Sequence, residues 1–350
     1  MKSLVVDRSG ALSFQELDMP EYNPCQALVK MRSCGVCNGT DTKIIHGTFK
    51  NFDSYPASLG HEGVGEVVAV GDKVTGLKIG DRVLLPFLEK ENRGITPGWG
   101  AFSEYAVVGD PEAYVKNGMG PGTEAFSESY FAQTVLKDTD RVDDVGAAMI
   151  ITFREVLSAI RRFGFEAGRN ILIFGAGPVG LCFIRFCRLL GLKTIMAVDI
   201  SDEKEAMAKK MGADLFWNST REDVISLVRE RFPQGLDYVV DAVGLNRLIN
   251  QAMELIAYNG KICCYGISPK LSMELDWSRA PYNWSLQFVQ WPSKKEEGEA
   301  HSQVMAWINC GALDPMDFIS HVTPFEEIHT AFEKIERKDP DIRKMVVTFS

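Results

Sequence analysis

The ten residues ILIFGAGPVG at positions 171–180 decide the fold of the second half of the chain. The apolar run 171–174 is typical of a buried parallel strand, and the glycines that follow have the spacing G-x-G-x-x-G at the start of a long apolar helix. Gly175 permits the tight turn, Gly177 lets a pyrophosphate approach the backbone, and Gly180 lets the helix pack closely on the strand. The helix start presents free amide groups to phosphates. We therefore predict a dinucleotide-binding site that contains Gly175, Gly177, Pro178, Val179 and Gly180.

The next strand ends in a carboxylate that favours NAD. Asp199 lies 19 residues after Gly180 and directly follows the apolar run 194–198. A carboxylate there accepts hydrogen bonds from the ribose hydroxyls of NAD and repels the 2′-phosphate of NADP. No arginine follows it at once. The alternative is an ordinary glycine turn with a solvated aspartate, but strand, loop, helix and acid all agree with the NAD interpretation.

Residues from about 150 onward alternate between helices and short apolar runs. The runs are 171–174, 194–198, 237–241 and 261–265. Strands of this type joined by helices indicate parallel βαβ units and a doubly wound, Rossmann-like sheet. The sequence therefore predicts an α/β protein.

The first 110 residues consist of short apolar runs separated by turns. The runs 27–31, 63–71, 80–85 and 102–108 have the spacing of an all-β, barrel-like unit. After Trp291 the pattern predicts helices over 294–309 and 324–337 and a closing strand over 344–349. We therefore expect domains at 1–150, 151–289 and 290–350.

The composition restricts the possible partners. The formal net charge of −9 gives a low expectation for nucleic-acid or membrane binding. No apolar run is long enough to span a bilayer, and the apolar N-terminal stretch is too short for a signal peptide. We therefore expect a cytoplasmic protein whose eight cysteines form no disulfide framework.

A second motif carries candidate metal ligands. His61 and Glu62 stand in the glycine-rich turn 60–65, and Cys34 and Cys37 precede them in a Cys-x-x-Cys arrangement. A thiolate, an imidazole and a carboxylate suit zinc, and a catalytic zinc site keeps one position open. From these residues alone, a histidine in a turn is more often structural than a metal ligand, and the cysteine pair is also compatible with a redox motif or the core.

The chain resembles the zinc-containing medium-chain alcohol and polyol dehydrogenases, which include sorbitol, threonine and sugar dehydrogenases. The matching elements run in family order: 37–41, 60–65, 80–83, 100–105, 175–180, Asp199, 241–244 and 324–327. The resemblance implies a GroES-like catalytic domain, a Rossmann domain and a C-terminal segment that returns to the catalytic domain. It implies the zinc ligands Cys37, His61 and Glu62, and adds Val243 and Gly266 to the NAD-binding residues.

Several positions depart from the family pattern. One residue is extra in the segment 37–41, where Thr40 stands for the residue that bonds the substrate oxygen. Lys43 replaces the histidine of the usual proton relay, so Lys43 and His46 become the candidates for proton transfer to solvent. The further ligand position holds Ile151, which cannot coordinate. Glu155, one turn later, either replaces it or is a surface helix residue. No cysteine lies between Gly80 and Tyr114, so we predict one catalytic zinc ion and no structural zinc.

The motifs together predict hydride transfer between NAD and an alcohol, with zinc acting as a Lewis acid on the substrate oxygen, in a cleft between the domains. Trp284, Phe288 and Trp291 either shape a pocket for a polyol, sugar or cyclitol or belong to a subunit interface or core. By analogy we expect a homo-oligomer, a dimer or tetramer. Two alternatives remain at this point: a zinc-free quinone or enoyl reductase of the same superfamily, and a non-catalytic NAD-binding protein.

Overall fold

The computed structural model describes residues 1–137, 139–337, 339 and 341–350. The chain divides into two compact units, one formed by residues 1–154 and 293–350 and the other by residues 155–292. The divisions lie four and three residues after the predicted ends of the domains at 150 and 289. The first lies inside a long helix, and the second lies just before a helix start.

The described residues form the following strands in chain order. They are β1 Lys2–Val6, β2 Leu12–Glu16, β3 Gln26–Val36, β4 Ala57–Ser58, β5 Glu62–Val70, β6 Arg82–Leu84, β7 Thr96–Pro97, β8 Tyr105–Gly109, β9 Val135–Leu136, β10 Asn170–Phe174, β11 Thr194–Asp199, β12 Leu215–Asn218, β13 Leu236–Asp241, β14 Ile256–Cys264, β15 Trp284–Phe288, β16 Ile319–Pro324 and β17 Lys344–Thr348.

The α-helices are α1 Thr40–Ile45, α2 Pro111–Lys116, α3 Asp144–Phe163, α4 Pro178–Leu189, α5 Glu205–Met211, α6 Val224–Arg231, α7 Asn246–Met253, α8 Lys294–Asn309 and α9 Ile328–Glu336. Short 3₁₀ turns lie at Glu128–Phe131, Asp202–Lys204, Trp277–Arg279, Pro315–Asp317 and Phe325–Glu327.

The first unit is rich in β-structure, as predicted. Its sheets have the strand orders β2-β1-β4-β7 and β16-β17-β3-β5-β6-β9, and β8 pairs with β3 on the side opposite to β5. The long strand β3 contributes the buried side chains Met31, Cys34 and Val36 to a core that also holds Phe102 and Phe325. This central strand brings the two candidate metal segments together, because β5 pairs with it and the Cys37 segment follows its end.

The second unit is a parallel sheet in the order β12-β11-β10-β13-β14-β15. Its central strands are nearly continuous apolar runs because both faces are covered, and the residues 171–174 of β10 are all buried. The expected doubly wound sheet is therefore confirmed, with β12 and β15 as two edge strands that the apolar runs did not predict.

The C-terminal segment largely follows its predicted pattern. Helix α8 begins after Ser293, whose hydroxyl accepts the Glu296 amide, while the Glu296 carboxylate accepts the Ser293 amide. This capping box explains why the helix starts where the sequence indicated. The predicted helix over 324–337 is shorter, because β16 extends to Pro324 and a 3₁₀ turn precedes α9. No helix in the described ranges has the length and hydropathy of a bilayer-spanning segment.

Candidate functional site

The structure brings three potential metal ligands together in the first unit. One donor atom each from Cys37, His61 and Glu62 lies within 4.8 Å of the others. His61 and Glu62 are buried, and Cys37 is half-buried. This is the group that the two sequence motifs predicted, and its mixed S, N and O donors suit zinc.

Cys37 lies between the end of β3 and the start of α1. The backbone amide of Thr40 points to Cys37 Sγ at 3.4 Å, and the backbone amide of Cys37 donates to Asp41 Oδ2 at 2.9 Å. The first turn of α1 therefore holds the sulfur in place. Cys34, by contrast, lies in the apolar core, where burial raises the pKa of its thiol well above the usual range. Cys34 is therefore a core residue, and both cysteines are free thiols.

His61 is placed by the glycine that precedes it and oriented by a carboxylate. Gly60 has φ +94°, and a Cβ there would lie 2.5 Å from the Phe102 amide nitrogen, so glycine is required at this turn. His61 Nδ1 lies 3.3 Å from Asp41 Oδ1, and the Asp41 side chain is 1% exposed. Burial opposes the imidazolium, but the Asp41 carboxylate outweighs it and raises the pKa of His61 well above its usual value. With Nδ1 facing Asp41, Nε2 remains to bind a metal, an arrangement common for zinc-ligating histidines.

Asp41 connects the two candidate ligand segments, although the sequence assigned it no role. It appeared only as the last residue of the segment 37–41. Its side chain contacts both predicted ligand segments, since Oδ2 receives the Cys37 amide and Oδ1 faces His61. A buried carboxylate four residues after the cysteine was the available signal, but its partner could not be read from the sequence.

The Lys344 ammonium contacts both carboxylate oxygens of Glu62, and Oε1 also accepts a hydrogen bond from Thr152. Thr152 Oγ1 donates to Glu62 Oε1 at 3.2 Å, and Lys344 Nζ donates to the same atom at 2.6 Å. Oε2 touches the Lys344 ammonium as an ion pair but accepts no hydrogen bond from any described residue. A buried carboxylate beside a thiol and an imidazole fits a divalent cation, so the residues present fit a zinc ion.

The residues predicted to bind the substrate oxygen and transfer its proton lie at different distances from the metal-ligand group. Thr40 is buried at the start of α1 and adjoins Cys37. Lys43 is half-buried, and its ammonium donates to Gly39 O at 3.2 Å; burial lowers the pKa of Lys43. His46 caps the end of α1, where its Nε2 lies 3.0 Å from Glu336 Oε1 with both side chains about half exposed. Thr40 and Lys43 therefore flank the metal-ligand group, while His46 is a surface residue.

Glu155 is not part of the metal-ligand group found among the described residues. It is half-buried on α3 and belongs to the second compact unit. Ile151, at the usual ligand position, is completely buried in an apolar cluster with Leu85, Phe87 and Ala132. Its role is therefore core packing, and the structure gives no support for Glu155 as its replacement.

An aromatic ring that the sequence analysis did not single out lies beside His61. The centroids of the Trp99 and His61 rings are 5.4 Å apart. Trp99 has φ +64°, a strained conformation for a bulky residue, and the surrounding turn contains Gly98 and Gly100. Trp284, Phe288 and Trp291, which the sequence assigned either to a pocket or to a subunit interface or core, lie on or just after β15 in the second unit, half-buried or exposed.

The glycine-rich loop in the second unit has the geometry that dinucleotide binding requires. Gly175 has φ +96°, and a Cβ at Gly180 would lie 1.8 Å from the carbonyl oxygen of Gly175. The space next to Gly177 is open, with no atom within 4 Å of a built Cβ. Gly177 and Pro178 begin α4, so the amides of the first turn face this open space. The three glycines thus serve the turn, the approach of a ligand and the helix packing.

Asp199 ends β11 beside this loop. Its Oδ2 accepts the Ala176 amide at 2.7 Å, and its Oδ1 accepts the Ile200 amide at 2.8 Å. The carboxylate is therefore held at the glycine loop, where a ribose hydroxyl is expected.

Val243 and Gly266 follow β13 and β14 at the same edge of the sheet. Val243 is 46% exposed, and a Cβ on Gly266 would lie 2.1 Å from the Gly244 amide nitrogen. The Asp241 carboxylate accepts the amides of Val243 and Gly244, each at 2.9 Å, and burial raises the pKa of this carboxyl. These contacts fix the loop after β13 at the carboxyl edge of the sheet, where ligands of such folds bind.

Comparisons with known proteins agree with the β-rich first unit and with the Rossmann-like second unit. Residues 23–117 match the family model for the alcohol dehydrogenase GroES-like domain, and residues 178–290 match that for zinc-binding dehydrogenases. The chain is 30% identical over 344 residues to an alcohol dehydrogenase of Geobacillus stearothermophilus, with 96% of each chain covered. It is 26% identical over 343 residues to an L-threonine 3-dehydrogenase of Proteus mirabilis, with 91% of each covered. Among solved structures it resembles 2R,3R-butanediol dehydrogenase from Bacillus subtilis, with TM-score 0.80, 20% identity and 99% of each chain covered.

Proposed function

The chain belongs to the zinc-containing alcohol dehydrogenase family, whose members are oxidoreductases that act on CH–OH groups, and on this premise we propose that it interconverts a secondary alcohol and its ketone using one catalytic zinc ion and NAD. The observation that carries the proposal is the grouping of Cys37, His61 and Glu62. A zinc-free reductase has no use for three such donors held within 4.8 Å of one another. The grouping therefore favours the zinc-dependent enzyme over both alternatives.

The chain's own residues perform the supporting steps. Bound zinc supplies a Lewis acid for the substrate oxygen, and the nicotinamide supplies the hydride acceptor. Asp41 orients His61 and compensates its charge, and Thr40 stands at the start of α1 next to Cys37. We propose that the Thr40 hydroxyl bonds the substrate oxygen and that the Lys43 side chain, held at Gly39 O, accepts the proton as the neutral amine and then releases it from the ammonium to solvent. His46 would act only as an exposed last acceptor.

The surroundings of His61 support a proposal for the substrate class. Trp99 places an aromatic ring against the metal ligand at 5.4 Å between centroids. A flat aromatic face next to a polar centre suits a molecule with alternating C–H and hydroxyl groups. We propose a polyol, sugar or cyclitol as the substrate.

A substrate panel tests the function. Zinc-loaded protein is mixed with NAD and a set of simple alcohols, polyols, sugars and cyclitols, and NADH formation is followed, with the chelator-treated protein as control. We expect turnover on at least one polyol or sugar that disappears on zinc removal and returns on its replacement. A non-catalytic NAD-binding protein gives no NADH with any compound, and a zinc-free reductase gives the same rate before and after chelation.

The position of Asp199 predicts a preference for NAD. Because its carboxylate repels a 2′-phosphate, we expect kcat/KM with NAD to exceed that with NADP by about 100-fold, which corresponds to ~2.7 kcal/mol. Asp199→Asn removes the charge while keeping an oxygen for the Ala176 amide. The ratio should then fall at least about tenfold, mainly through tighter NADP binding. A wild-type enzyme that prefers NADP would contradict this assignment.

The sheet edge of the second unit suits an assembly of identical copies. Strand β15 pairs with β14 and is the end of the sheet, and exposed large side chains lie on or near it, with Tyr282 100% and Phe288 55% exposed. An edge strand with exposed aromatic residues favours pairing with a second chain. We propose a homo-oligomer that uses this edge. Sedimentation of the wild type should give a multiple of the monomer mass. Phe288→Lys should reduce this mass, whereas Val322→Lys, on edge strand β16, should leave it unchanged. A monomeric wild type would refute the proposal.

A further inference from the structure

A lysine from the far end of the chain is joined to the candidate metal ligands. Lys344 is the first residue of β17, and its side chain is 4% exposed. Its ammonium donates to Glu62 Oε1 at 2.6 Å and also touches Oε2. The Glu62 side chain is 2% exposed, so both charges are buried and each depends on the other.

The sheet leaves a gap for this ion pair at Gly35. Strand β3 lies between β17 and β5, with Gly35 opposite Val346 on one side and opposite Glu62 on the other. A Cβ on Gly35 would lie 2.1 Å from Glu62 Oε2 and 3.1 Å from Lys344 Cε. The missing side chain at Gly35 therefore allows the carboxylate and the ammonium to meet above the strand, next to the Cys37 segment.

The ion pair changes what Glu62 offers to a metal. One carboxylate oxygen accepts both Thr152 and Lys344, and the other is in contact with the ammonium. A cation that binds Oε2 must weaken this contact and stand near a positive charge in a site of low dielectric constant, where such repulsion is strong. The metal-free site, in turn, contains a neutralised carboxylate rather than a bare buried charge.

We infer that Lys344 is a positioning residue that shares Glu62 with the metal: its ammonium holds both carboxylate oxygens next to Cys37 and His61, and by competing with the cation for Glu62 it lowers the affinity of the site so that the fold does not require bound metal. This inference rests on the proposed function, since it takes the Cys37, His61 and Glu62 group to be the metal site. The Lys344–Glu62 ion pair matters for metal affinity because Ile151, at the usual position of a further ligand, cannot coordinate. Glu62 is then the carboxylate on which metal affinity depends.

The test is the equilibrium affinity for Co²⁺ of metal-stripped full-length protein, measured in competition with a chelator. Lys344→Met removes the charge and keeps the side-chain length, and we expect it to bind Co²⁺ about tenfold more tightly than the wild type. Lys344→Arg keeps the charge and should stay within about threefold of the wild type. Thr152→Val removes the other donor to Oε1 without changing charge and should also stay within about threefold.

The double variant Lys344→Met/Glu62→Gln shows whether the gain in Co²⁺ affinity depends on the Lys344–Glu62 ion pair or on the loss of the lysine charge in general. We expect it to lose the whole gain in affinity, because the gain requires the freed carboxylate. In chelator, the melting temperature of Lys344→Met should fall and that of Lys344→Arg should stay near the wild-type value. If the metal-free Met variant does not fold, Lys344→Gln, which is also uncharged but keeps a donor, is measured in its place with the same expected gain.

Equal or weaker Co²⁺ binding by the uncharged variants would overturn the inference while leaving the metal site intact. The failure of the proposed function looks different: wild-type protein then shows no thiolate-to-cobalt absorption at all, and Cys37→Ala changes nothing. Thiolate absorption in the wild type, together with a gain in the Lys344→Met variant that depends on Glu62, supports both.

Discussion

Replacing Cys37 with alanine is expected to abolish stoichiometric zinc binding and to lower kcat/KM for the alcohol at least about a thousandfold, or ~4 kcal/mol in the barrier. The sulfur is the soft donor of the group, and only His61 and Glu62 remain without it. Glu62 is then held by Lys344 and Thr152, which leaves a single strong ligand. Metal content per chain and steady-state kinetics measure the two effects on the same preparation.

Cys34→Ala is the matched control for this loss. Cys34 lies three residues earlier, in the core with 0% exposure, and it is not one of the three grouped donors. We expect it to lower the melting temperature because a small cavity opens, while zinc content stays at one ion per chain. If Cys37→Ala retains full zinc and full turnover, the metal site has been assigned to the wrong residues.

Replacing Gly180 with alanine is expected to weaken NAD binding at least about 100-fold, or ~2.7 kcal/mol. The added Cβ would lie 1.8 Å from the Gly175 carbonyl oxygen, so the loop and the first turn of α4 must separate. The amides that face the phosphates then lose their positions. Calorimetric titration with NAD measures the change directly.

Gly177→Ala distinguishes loss of ligand space from loss of loop structure. The position is open in the structure, with no atom within 4 Å of a built Cβ. We expect this variant to keep the wild-type melting temperature and to lose NAD affinity, whereas Gly180→Ala loses both. Wild-type NAD affinity in Gly180→Ala would mean that the loop between β10 and α4 is not the dinucleotide site.

Much of the fold is predictable because its signals are local. The strand, glycine loop and helix at 171–180 follow one another in the sequence, and so do the capping residues that start α8. The strands β12 and β15 were not predicted because polar residues end or interrupt their apolar runs, and their pairing depends on neighbours distant in the chain. Strand β16 was missed for the same reason, which also extended the predicted helix over 324–337.

The candidate site is predictable only where its residues form motifs. Cys37, His61 and Glu62 were identified from two short segments, and the structure groups them. Lys344 could not be identified, because it meets Glu62 across 282 positions in the sequence through a gap at Gly35. Trp99 was not identified from the sequence for a similar reason, since its contact with His61 depends on an unusual turn conformation. Contacts made by side chains from separate strands follow from the register of the sheet, which no local pattern specifies.

The central claim, that one zinc ion is held by one thiolate and by nitrogen and oxygen donors, is tested most directly by X-ray absorption at the zinc edge of the purified protein. We expect one zinc per chain with a single sulfur neighbour at about 2.3 Å and the remaining neighbours, nitrogen or oxygen, at about 2.0–2.2 Å. The sulfur contribution should disappear in Cys37→Ala. A first shell of several sulfurs, or a protein that retains no zinc after loading, would contradict the account.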